Sequence, residues 1–196
     1  MSLARAAVVA ALALTATPAL AHDVVPGVGG FYGGLLHPLL IPAHLLALAG
    51  IGLFLGQQQR PMSVGLLAVF TASLVIGVIA IVSAVSPMYQ GEVVLGVAAV
   101  AGLLVALARP IRALLSLPLI TIAGIAIMLD SVPDDMSMQR TFLALVGTVI
   151  AAFILATLIA EATRALAHDW QRIGVRILGS WIAASAILVL AVRLAR

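Results

Sequence analysis

Hydrophobic positions in this chain come in long unbroken runs rather than at the spacing of an amphipathic helix or strand. The runs occupy 33–56, 62–86, 92–108, 113–129, 141–163 and 176–195. A helix that is apolar on every face belongs in lipid or in a deep core, and roughly 20 such residues cross the hydrocarbon layer. The pattern therefore predicts an all-α fold, an integral membrane bundle of six transmembrane helices. The connectors QQQRP, SPMYQGE, RPIR, DSVPDDMSMQR and RALAHDWQRIG are short. They leave no room for a soluble domain, and no internal repeat stands out.

Ahead of the first run, residues 1–21 read MSLARAAVVAALALTATPALA. Arg5 precedes a short apolar stretch, and Ala19-Leu20-Ala21 places small residues where a signal peptidase inspects them. This is the pattern of a cleavable secretory signal peptide. Cleavage would leave residues 22–196 as a single six-helix transmembrane domain with His22 at its N-terminus, outside the membrane.

Composition agrees with the runs and then refines them. Of 196 residues, 64% are hydrophobic and only 9% charged, where a soluble domain carries about 25% charged residues. There is no cysteine, which excludes disulfides and thiolate metal sites. The basic residues are arginines spread singly, without a basic stripe, so nucleic acid is not expected as a partner. With the mature N-terminus outside, Arg60, Arg109, Arg112, Arg164, Arg172 and Arg176 fall in inward connectors, and Glu92, Asp130, Asp134 and Asp135 in outward ones. That is a positive-inside distribution. It predicts a multi-pass protein of the bacterial inner membrane with a periplasmic N-terminus. Arg140, Arg193 and Arg196 are the exceptions.

Polar groups inside the first run carry the chemistry. His37 and His44 are seven residues apart. In a straight helix they share a side but stand roughly 10 Å apart. Nitrogens sharing one metal lie within about 4 Å of each other, given bonds of about 2 Å. However, Pro38 and Pro42 each remove a backbone donor and are expected to kink or open the segment. A broken helix beside a cavity also exposes backbone groups to an ion. Imidazole in hydrocarbon is costly without a partner. The bland alternative is a pair of histidines that hydrogen-bond between helices.

The stretch His37-Pro38-Leu39-Leu40-Ile41-Pro42-Ala43-His44-Leu45-Leu46 resembles the first-span motif of the HupE/UreJ family. These small membrane proteins accompany hydrogenase and urease maturation and are regarded as nickel, sometimes cobalt, permeases. The family pattern is His, five residues, then Asp-His, and the signal peptide, the following histidine and six-span length are similar too. The likeness runs on through GEVVLGVAAVAGLLVALARPIR to RILGSWIAASAILVLAVRL. Departures are specific: Ala43 stands where the family has aspartate, and Ile41 where it has glycine. The family's Phe-His-Gly-x-Ala-His-Gly-x-Glu corresponds to Leu129 through Ser137, with Asp130 and Asp134 in place of the histidines. Carboxylates are harder ligands than imidazole and shift selectivity away from nickel.

The resemblance implies an outward-facing site for a divalent transition metal, nickel, cobalt or copper, drawn from His37, His44, His22, Glu92, Asp130 and Asp134. A structural reading stands beside each of the last ones. Glu92 suits a helix N-terminus, and Asp130 and Asp134 suit a solvated loop. Glu161 is expected to pair with Arg164 one turn on. Gly96, Gly102, Gly147, Ala151, Gly179 and Ala183 read as close-packing positions. No nucleophile–base set, phosphate loop or catalytic carboxylate pair is present, so no enzyme and no firm cofactor are expected. The rival reading is a non-transporting accessory subunit packed against a larger membrane complex or its own copies. A bis-histidine haem protein is disfavoured, because His168 lies across the membrane from His37.

Overall fold

The computed structural model of the chain describes residues 29–83, 88–108, 113–132 and 137–195. The signal peptide expected at 1–21 lies outside them. Among the described residues the chain is helical throughout, as α1 (Gly30–Leu40), α2 (Pro42–Gln57), α3 (Arg60–Val82), α4 (Gln90–Leu107), α5 (Ala113–Leu129), α6 (Met138–Arg164) and α7 (Asp169–Leu194). Four of these, α3, α4, α6 and α7, are long and apolar enough to cross a membrane, and α1 with α2 make a fifth if the bent pair is one span. By this measure α5, with 17 residues, is apolar but short. The molecule is thus an all-α protein with four to five candidate spans.

The first run does not form one straight helix. Between α1 and α2 the axis turns by 73°, at Ile41, whose φ of −92° and ψ of 110° are extended. Two prolines dictate this. A residue before proline is pushed out of the helical region, and Pro42 then starts α2 at a position where a missing N–H costs nothing. Pro38 sits inside α1 and cannot donate to the carbonyl one turn back, that of Gly34. The Thr148 hydroxyl of α6 instead donates to Gly34 O at 3.0 Å, sharing its proton with Ala144 O of its own helix at 3.1 Å. In a layer without water, a side chain of a neighbouring helix must supply such a replacement.

Packing is organised around α2. It is buried on nearly every side, from Ala43 and His44 to Gly56, and lies against α4 and α6. Around it α1 packs on α6, α4 on α7, and α3 on α5. Without a hydrophobic force between helices in lipid, small residues that allow close approach hold such pairs together. Gly34 and Gly147 meet across α1 and α6, where a Cβ on Gly34 would collide with Ala144 O. Gly102 and Gly179 meet across α4 and α7, a Cβ on Gly102 coming within 2.7 Å of Gly179 O. Gly96 departs from expectation: nothing lies within 4 Å of its hypothetical Cβ.

Three stability tests follow from these contacts. Gly102→Ala should lower the apparent melting point in detergent, at a cost of about 1–3 kcal/mol from overpacking. Gly96→Ala should be neutral or gain up to about 1 kcal/mol of helix propensity. Thr148→Val should cost about 1–3 kcal/mol by stranding the Gly34 carbonyl, with thermal unfolding of the purified protein as the readout.

Candidate functional site

The bend at Ile41 brings together what a straight helix would hold apart. His37, in the last turn of α1, and His44, in the first turn of α2, have ring centroids 5.0 Å apart at an interplanar angle of 60°. His44 is fully buried. Its Nε2 donates to Asp130 Oδ2 at 2.8 Å, from a residue just beyond the end of α5, with the Asp130 side chain 20% exposed. Its other ring nitrogen, Nδ1, lies on the side of the ring away from this bond. It is buried and has no hydrogen-bond partner among the described residues.

Asp130 leads to a second pair of charges. Gly91 lies beside it: a Cβ there would be 3.4 Å from Asp130 Oδ1 and 2.6 Å from Arg193 Nη1. Arg193, near the C-terminus of α7, stands 3.9 Å from Glu92 Oε1 in the first turn of α4. Glu92 therefore complements a helix N-terminus and faces an arginine. Arg193, an exception to the sequence charge pattern, is accounted for by this acidic end of the bundle.

Of the residues singled out from sequence, the structure draws His37, His44 and Asp130 into a row, with Glu92 next to it on α4. His22 and Asp134 lie outside the described residues. Among those described, no three histidine, aspartate or glutamate side chains converge closely enough to share an ion. The row thus offers two imidazoles and an orienting carboxylate rather than a closed cage. Such a carboxylate holds the imidazole ring in one orientation.

At the opposite end, Glu161 ion-pairs with Arg164 as the helical spacing predicts, and Arg60 stands 3.9 Å from the same carboxylate. Arg164 also donates to Ser63 Oγ at 2.6 Å. His168 caps the start of α7 in a reciprocal arrangement with Gln171, which leaves it a structural role. The 86-residue separation of His44 and Asp130 has no local signature, so sequence reasoning placed both residues but not their bond. Arg193 stood out in the sequence only as an exception to the charge pattern, without its partner Glu92, and Thr148 carried no signal, since nothing local distinguishes it from packing residues.

A family model described as HupE / UreJ protein matches residues 10–189. The chain belongs to the HupE/UreJ family. This is an accessory or permease-like membrane family rather than a catalytic one, and with its helices it makes the chain a multi-pass membrane protein. No curated protein and no solved structure matches the chain.

The two carboxylates of this HupE/UreJ end should differ sharply in weight. Asp130→Ala strands a buried imidazole nitrogen and should cost about 1–3 kcal/mol. Glu92→Gln removes a partly exposed pair and should cost less than about 1 kcal/mol. Chemical or thermal unfolding of the two variants side by side measures the difference.

Proposed function

We propose that this HupE/UreJ member takes up a divalent transition metal, nickel, cobalt or copper, through an outward-facing site centred on His37 and His44. The observation that carries the reading is the break at Ile41, which sets the two imidazoles 5.0 Å apart beside a carboxylate that orients one of them. Imidazole suits nickel and copper alike. A site with few protein ligands leaves water on the ion and releases it readily, which transport requires. Glu92 and Asp130 add negative charge at the mouth, and His22 and Asp134 are placed by sequence to extend the same end.

Orientation follows from charge. Arg60, Arg164, Arg172 and Arg176 mark the opposite end, which the positive-inside rule assigns to the cytoplasm of a bacterial inner membrane. The histidine end then faces the periplasm, where the cleaved N-terminus would lie. We take α5, packed on α3, as the remaining crossing of a six-helix bundle. A cation moving inward gains about 2.3 kcal/mol per charge per 100 mV of membrane potential.

Proteoliposomes carrying the purified protein test this with nickel, cobalt and copper. Uptake should fall at least about tenfold in the His37→Ala/His44→Ala variant, one lost ligand bond being worth more than about 1.4 kcal/mol. Equal uptake by that variant would remove the proposed site. Metal binding without uptake in the parent protein would instead assign it the accessory role.

A further inference from the structure

The arginine end holds a cavity that the metal reading does not use. Its volume is ≈ 380 Å³, and Arg164 of α6 with Arg172 and Arg176 of α7 line it, together with Gln57 of α2 and Ala108 at the end of α4. That size lies within the range of small-ligand sites. We propose that this cavity binds the phosphate group of an anionic ligand.

Charge balance is the first argument. Glu161, which also faces Arg60, pairs with Arg164, whereas Arg172 and Arg176 form no ion pair among the described residues. Positive charge is thus in excess around the cavity. Two of the last-turn carbonyls of α4, which would repel an anion, accept side-chain hydrogen bonds. Gln57 Nε2 donates to Val105 O at 3.2 Å, and Arg176 Nε donates to Ala106 O at 3.0 Å. That bond anchors Arg176 through Nε and leaves its two terminal nitrogens for an incoming oxygen. Arg164 Nε is buried and has no hydrogen-bond partner among the described residues. Guanidinium forks match phosphate oxygens in pairs, which makes arginine suited to this chemistry.

Depth is the second. Arg172 and Arg176 are one turn apart near the start of α7 and therefore neighbours on its surface. On the same helix Trp170 is 70% exposed, and Ile173 and Ile177 are also exposed. An exposed tryptophan beside apolar side chains marks the interfacial level of a bilayer. Basic pockets between helices at that level are suited to anionic lipid headgroups. A lipid headgroup and a soluble phosphate compound present the same group, and both are sources the experiment separates.

Native mass spectrometry of the full-length protein in neutral detergent, with phosphatidylglycerol or phosphatidylcholine added, is the test. Phosphatidylglycerol should be retained at least about tenfold better than phosphatidylcholine. Arg172→Gln/Arg176→Gln should abolish that preference, two charge-assisted bonds being worth a tenfold change or more. Arg172 is exposed and without an ion pair, so its loss does not threaten folding; the single variant Arg172→Gln keeps the test valid if the double variant unfolds. Arg140→Gln, at the other end, should bind like the parent. Displacement of the lipid by excess inorganic phosphate shows that the phosphate group alone suffices, as for a soluble ligand. Persistence of the lipid shows that acyl chains contribute, as for a headgroup. Equal retention of the two lipids, with no arginine-dependent thermal shift in inorganic phosphate, overturns the proposal, as does equal loss in Arg140→Gln.

Discussion

A backbone carbonyl without a donor has nowhere to turn inside a lipid layer, and the arrangement of this protein depends on how that demand is met at the break between α1 and α2. Pro38 and Pro42 withdraw two N–H groups within one turn of each other. The chain answers with an extended residue at Ile41 and with the Thr148 hydroxyl on Gly34 O. That bond requires α6 to approach α1 closely, and Gly34 and Gly147 permit the approach. The bend then carries His37 over His44. Hydrogen-bond satisfaction, close packing and the placement of the histidines are one arrangement seen at three scales.

Legibility followed the range of the interaction. The helices were visible in the apolar runs because lipid demands continuous apolar length, and the kink was visible because proline acts on its immediate neighbours. The pair Glu161–Arg164 was visible for the same reason. What sequence left open was everything set by contacts between distant helices: the His44–Asp130 bond, the seat of Arg193 beside Gly91, and the donor for Gly34. Gly96 shows the matching error. A small residue permits close approach, but only the rotation of the helix about its axis decides which small residues meet a neighbour. In a helix apolar on every face, no polar stripe reports that rotation.

The two ends of the bundle treat charge in opposite ways. At the histidine end, charges are few and lie in a short chain, with Asp130 committed to His44 and Glu92 to Arg193. At the other end, arginines outnumber their acidic partners and surround a cavity. The difference gives the protein an electrostatic direction across the membrane, carried by side chains at the tips of otherwise uncharged helices. The interior of α2, between the two ends, contributes packing and no charge of its own.

The bond between His44 and Asp130 also bears on how such a sequence changes over generations. Each partner sits on a different helix, and either one alone leaves a buried polar group unsatisfied, so their substitutions are not independent. A change at position 44 therefore alters what position 130 tolerates, although 86 residues of chain separate the two.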